Sequence, residues 1–211
     1  RQYLDFMLNL MKYQQYVALA YMTGILPVKK YGLHSALNMF REYSMTNQRN
    51  FEEYTGFTEE EVKALCQRFG MDFAEASSWY DGYKFRKYQH VYNPKSVVEA
   101  MSCGEFSNYW TATETYEALK IYMDMDFEGL RADIVQMLGG GSVRINTRSF
   151  QNDMRNLRTK DDVLTLLIHL GYLAYDSGKE EAFIPNKEIV GEFENAMSVS
   201  GWPEVMRILK A

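Results

Sequence analysis

Cysteine is scarce in this sequence, with two in 211 residues, Cys66 and Cys103. They form no CxxC pair and have no histidine nearby, which excludes a disulfide framework and a cysteine-based zinc site. Reduced, buried thiols in a cytoplasmic protein are expected instead. The three histidines, His34, His90 and His169, stand too far apart for metal-ligand spacing. No apolar run approaches the roughly 18 residues that a membrane helix needs, and no signal peptide is visible, so no membrane partner is expected. Phosphate-binding sequences are missing as well. There is no GxxxxGK[ST], no GxGxxG, and no apolar run ending in paired acids that could hold magnesium. A nucleophile elbow of the form GxSxG is also absent. By itself the chain is expected to hydrolyse no ATP and to need no cofactor. Its formal charge of -5 argues against a surface given over wholly to nucleic acid.

What is there reads as mainly helical. Hydrophobic residues make up 46%, enough for a real core. Leu4, Met7, Leu8 and Met11 fall on one face of a helix over 3–11. Tyr16 to Met22 is continuously apolar and closes at Thr23-Gly24, the pattern of a strand buried on both faces in a parallel sheet. Such a strand needs partners, and no second strand of this type follows it. With a chain that opens on Arg1-Gln2, this points to an α/β domain cut from a longer protein. Ser35 to Tyr43 reads as a helix capped by Ser35. Thr58 and Glu61 make a capping box that opens a helix through Val62, Leu65, Cys66 and Phe69. Phe73 to Tyr80, Ser96 to Met101 and Tyr116 to Met123 are further helices, with turns at Asp81-Gly82 and Tyr92-Asn93-Pro94. Leu130, Ile134, Val135 and Leu138 form a helix that stops at Gly139-Gly140-Gly141, a loop or hinge. A short strand over 142–145 follows. Thr159 caps a helix through Leu170, with Gly171 at its C-terminal exit. Tyr172 to Tyr175 and Ala182 to Pro185 then read as a hairpin, and Ile189 to Met197 as a last helix. Helices, a hairpin and a final helix outline a winged-helix module.

Three features carry candidate chemistry. Thr23, with Gly24, would lie at the C-terminal end of the apolar strand, where α/β folds place ligands; the plainer reading is that the pair starts a turn. Residues 142–160 hold Arg144, Arg148, Arg155, Arg158 and Lys160 against one acid, Asp153, which suits either phosphate contact or a solvated face. Asp176, Glu180, Glu181 and Lys187 have the composition of a nuclease-type cluster, but a polar hairpin turn explains them better.

Several segments taken together resemble a known family. They are Ala20-Tyr21-Met22-Thr23-Gly24-Ile25-Leu26-Pro27 with Ser35 to Phe40, Trp79-Tyr80-Asp81-Gly82-Tyr83 with Tyr92 to Val97, and Tyr109-Trp110 leading on to Gly171-Tyr172-Leu173 and Ile184 to Glu188. The combination resembles the bacterial AAA-ATPase-like family, in which a C-terminal PD-(D/E)xK nuclease-like domain is a common fusion. The resemblance implies that residues 1–53 are the end of a P-loop ATPase-like core, 54–126 a helical lid-like region, and 127–211 a winged-helix-like module. The fold class is then mainly α (α+β), with one orphan strand from a truncated α/β core. Thr23 would stand at the sensor-1 position, and the ATPase core and a nuclease-like domain would be partners. ATP and magnesium would belong only to a full-length protein. The chain would be a regulatory, C-terminal portion, with a nucleic-acid-binding module or a protein-interaction domain as the alternatives.

Overall fold

The computed structural model describes residues 2–26, 40–110, 115–125, 127–150 and 157–199. Among them are eight α-helices and two small antiparallel sheets, an α+β arrangement rich in helix. No helix among the described residues is long and apolar enough to cross a membrane.

The first packed region spans roughly 52–110. After a single 3-10 turn at Glu52–Tyr54 comes β1 (Phe57–Thr58). Helix α2 (Glu59–Phe69) opens on the predicted capping box: Thr58 accepts the Glu61 amide at 3.4 Å, and Glu61 accepts the Thr58 amide at 2.8 Å. It ends at Gly70 in the left-handed conformation. Asp72 caps α3 (Phe73–Tyr80) by accepting the Glu75 amide at 2.7 Å. Strand β2 (Val91–Tyr92) pairs antiparallel with β1, Phe57 opposite Tyr92. Asn93 caps α4 (Pro94–Cys103), with Pro94 in the first helical position, where its missing N–H is no loss. The helix therefore begins two residues earlier than expected, and Asn93-Pro94 is its start rather than a separate turn. Val62, Cys66, Ala76, Tyr80, Tyr92, Val97, Ala100 and Met101 form the core. Cys66 is buried there, and burial pushes its thiol pKa up, whereas Cys103 is exposed, against the expectation of two buried thiols.

The second region holds α5 (Thr115–Met123), α6 (Leu130–Leu138), β3 (Val143–Arg144), α7 (Lys160–His169), β4 (Ala174–Asp176), β5 (Glu181–Phe183) and α8 (Lys187–Val199). The sheet order is β3-β5-β4, all antiparallel, with Tyr175 opposite Ala182 and Val143 opposite Ala182 on its other side. Helix α6 ends in the glycine run as a C-terminal cap: Gly140 has φ 83°, and the Gly141 amide returns to the Gln136 carbonyl at 3.0 Å. Gly171, with φ 85°, ends α7 in the same way, the Tyr172 amide bonding the Leu167 carbonyl at 2.9 Å. Seven consecutive residues of α7, Asp162 to Ile168, are buried, so this helix runs through the core formed with α5, α6 and α8. A small cluster of Tyr83, Phe85, Val91 and Ala174 bridges the two regions.

The N-terminal segment corrects one expectation. Helix α1 (Gln2–Met11) forms, with Met7 buried and Leu8 and Met11 half-buried, as its periodicity predicts. Tyr16 to Met22, however, is not a strand. It is irregular, and Leu19 and Tyr21 are 88% and 89% exposed. A strand exists only through its ladder, and neither small sheet reaches this segment. Of the helix expected over 35–43, residues 35–39 lie outside the described residues and 40–43 are irregular.

Candidate functional site

Two of the three sets of segments that carry the resemblance, those around Trp79 to Val97 and those around Tyr109 to Glu188, meet in one place. Helix α8 begins at Asn186, whose side-chain oxygen accepts the Ile189 amide at 3.1 Å while its amide nitrogen donates to the Asp81 carbonyl at 2.8 Å. Gly82, at φ 114°, lies flat against Pro185; a Cβ there would stand 2.0 Å from the Pro185 carbonyl oxygen, so only glycine permits this approach. The Lys187 ammonium sits 4.1 Å from the centre of the Trp79 ring, a cation–π contact. Tyr83 donates its hydroxyl to the Gly171 carbonyl at 2.7 Å. Trp110 packs edge-on against Tyr172, ring centres 5.7 Å apart, over Gly171, whose hypothetical Cβ would lie 2.8 Å from the Trp110 ring.

At the centre is Glu188, fully buried in the first turn of α8. Its carboxylate accepts the Ser96 hydroxyl and the backbone amides of Tyr109 and Trp110 at 2.7 and 3.0 Å. Burial drives its pKa up, while the three donors pull it back. One turn on, Glu192 is also buried. It accepts the Asn108 side-chain amide at 2.6 Å, and its second oxygen has no hydrogen-bond partner among the described residues. Burial raises its pKa too. Loss of solvation makes a buried carboxylate expensive unless donors surround it, so Glu188 ties 93–110 to α8 strongly only while all three donors stay in place. Glu188 stands within one of the resembling segments, but its local sequence marks neither it nor Glu192 as buried: an acidic residue in a helix first turn, such as Glu188, reads as a favourable dipole partner at the surface.

Asp81 also receives His90, with Nδ1 2.6 Å from Oδ2, and its other oxygen is buried without a partner among the described residues. The Trp79 to Tyr83 and Tyr92 to Pro94 motifs thus fix packing between helices.

A second locality is a cleft of about 770 Å³ lined by Thr46 and Asn47, residues 144–148, Asp161, Tyr175, Ser177 and Glu180. It gathers two of the sequence-predicted basic residues. The Arg144 guanidinium donates to Glu180 Oε2 at 3.2 Å, and that of Arg148 lies 3.9 Å from Glu180 Oε1. Lys160 is elsewhere, paired with Asp133 at 2.8 Å. The Arg158 backbone amide bonds Asp162 at 2.9 Å, and Arg155 lies outside the described residues. Among the described residues, Arg144 and Arg148 thus share one acidic partner and Lys160 has another. Thr23 and Gly24 sit in the exposed irregular segment, not at the end of a strand. The acidic hairpin residues disperse: Asp176 caps its own turn through the Gly178 amide, Glu181 accepts the Ser142 hydroxyl, and Lys187 belongs to Trp79. His169 closes α7 against Phe150. No group of three or more metal-ligating side chains occurs among the described residues.

No protein-family model matches this chain, and neither the curated proteins nor the solved structures offer a significant match to it.

Proposed function

We propose that this chain is a regulatory part of an ATPase-like protein, coupling nucleotide state to a partner domain without hydrolytic activity of its own. The supporting observation is the junction around Glu188. Segments up to 105 residues apart, among them two of the three sets that resemble the AAA-ATPase-like family, interlock there through hydrogen bonds and close glycine contacts. Such a junction makes the lid-like helices and the C-terminal module move as one body, which is what a coupling element requires. The exposed Leu19 and Tyr21 suit burial against an ATPase core, and a nuclease-like domain is the partner that the resemblance suggests.

The order α6, β3, α7, β4-β5 hairpin and α8, with β3 beside β5, favours a winged-helix-like reading of residues 127–199. Duplex reading through α7 is disfavoured, since the helix has no face open to a groove. A structural and coupling role for the module is the better reading.

The test is nucleotide titration of the chain with magnesium, alone and with a P-loop core of the resembled family added in trans. The expected result is neither ATP binding nor turnover by the chain alone, and association with the core that changes with its nucleotide state. ATP binding and hydrolysis by the chain alone would overturn the reading.

A further inference from the structure

The geometry points to the cleft beside the β4-β5 hairpin as a binding site for a small phosphate-bearing ligand, with Glu180 occupying the anion position in its absence. Two features carry this. The first is the way Glu180 is held. It sits at the end of the turn between Asp176 and Glu181, in the left-handed backbone region at φ 57°. Glycine adopts that conformation without strain, and glutamate does not. The turn is otherwise organised by Asp176, which accepts the Gly178 and Lys179 amides at 2.9 and 3.2 Å, so the Glu180 side chain is not needed to form it. Its carboxylate instead lies between two guanidinium groups, Oε2 toward Arg144 and Oε1 toward Arg148.

The second is the surplus of donors. Two guanidinium groups carry ten N–H donors, more than one carboxylate can accept, and with the Arg144 and Arg148 side chains 78% and 88% exposed the remaining donors face solvent and are open to a ligand. The Arg148 contact, at 3.9 Å, is an ion pair without a hydrogen bond. A phosphate dianion has more oxygens and more charge than the carboxylate and matches the guanidinium fork, so it competes for this position. Thr46, Thr147, Ser177 and Tyr175 also line the cleft. Asp161, its other carboxylate, accepts the Asn146 amide at 3.2 Å. A volume of about 770 Å³ is of the size that takes a small molecule.

The reading is independent of the junction at Glu188 and is tested separately. Inorganic phosphate is titrated into the protein at constant ionic strength, followed by the amide NMR signals of residues 144–148 and 177–181. The expected result is saturable binding in the wild type, tightened roughly tenfold in Glu180→Gly, which removes the competing carboxylate and relieves the backbone. Arg148→Gln, on an exposed side chain whose loss leaves the fold intact, should weaken binding at least about tenfold. Phosphate shifts that are absent or non-saturable, or affinity unmoved by either variant, would overturn the proposal. So would a short DNA duplex that saturates the same signals more tightly than phosphate does, which would assign the cleft to a nucleic-acid backbone.

Discussion

The Ser96 hydroxyl stands 2.9 and 2.8 Å from the two oxygens of Glu188, joining residues 92 positions apart inside the protein. The contact is fully buried, and the same carboxylate also holds the Tyr109 and Trp110 amides. Removing the acceptor strands one buried and two part-buried donors, each worth about 1–3 kcal/mol when left unpaired away from water. Glu188→Ala should therefore destabilise the protein by about 3–5 kcal/mol, allowing for relief of the buried charge. Glu188→Gln keeps the shape and one acceptor and should cost about 1–2 kcal/mol. Urea unfolding at pH 7 measures both. A loss below about 0.5 kcal/mol in the alanine variant would mean that the carboxylate is not the centre of the junction.

Close backbone approach makes a second, independent prediction. Gly82→Ala places a methyl group 2.0 Å from the Pro185 carbonyl oxygen, on backbone atoms that cannot swing aside. The loop must separate from the start of α8, at a cost of more than about 3 kcal/mol. Gly70→Ala is the control. It shares a positive φ of 67° but meets nothing within 4 Å, so only the left-handed strain of about 1 kcal/mol applies. Equal unfolding midpoints for the two variants would show that strain, not contact, governs Gly82.

The local elements were legible in the sequence because their signals are local. The Thr58–Glu61 and Thr159–Asp162 capping boxes, the glycine stops at Gly139 to Gly141 and Gly171, and the turn around Ser177-Gly178 are each written within a few residues. The apolar run Tyr16 to Met22 was not legible, because apolarity states a preference for burial and cannot say whether a partner strand is there to satisfy it. The junction was half legible. Its motifs could be picked out, but the pairing of Gly82 with Pro185 or Ser96 with Glu188 depends on tertiary contact. The cleft was least legible. Arg144 and Arg148 appeared as part of a basic stretch, and only the fold separates them from Lys160 and turns Glu180 onto both.

The exposed N-terminal side chains make a prediction of opposite sign. Leu19 and Tyr21 contribute little burial to the fold, so Leu19→Ser with Tyr21→Ser should leave the unfolding midpoint within about 0.5 kcal/mol of the wild type. On the proposed reading the same change should lower binding to an ATPase core, which depends on that apolar surface. Unfolding assays together with light scattering separate the two effects. A marked loss of stability would mean that the segment packs on the body of the protein and is not a contact surface.

Protonation gives the last prediction, in which half-buried His169 and buried Glu192 act in opposite directions. Burial lowers the pKa of His169 to about 4 from an ordinary 6.5. Between those values the unfolded chain takes up a proton that the folded protein refuses, so stability falls as pH drops from 6.5 to 4, by on the order of 3 kcal/mol at most. Burial raises the pKa of Glu192 above 4.5, and the folded protein then keeps a proton that the unfolded chain releases. That contribution is fully present at low pH and is lost as pH rises through the raised value. Glu188 shifts in the same direction as Glu192, with its three donors opposing the shift. In the wild type the two trends partly cancel over mildly acid pH. Substitution separates them. His169→Leu should flatten the acid side, gaining stability relative to the wild type at pH 4 more than at pH 7. Glu192→Gln should do the reverse, raising the urea midpoint at pH 7 with little change near pH 4. If both variants shifted the midpoint equally at the two pH values, the effects would be packing changes and the carboxylate beside Asn108 would not be a strained, buried charge.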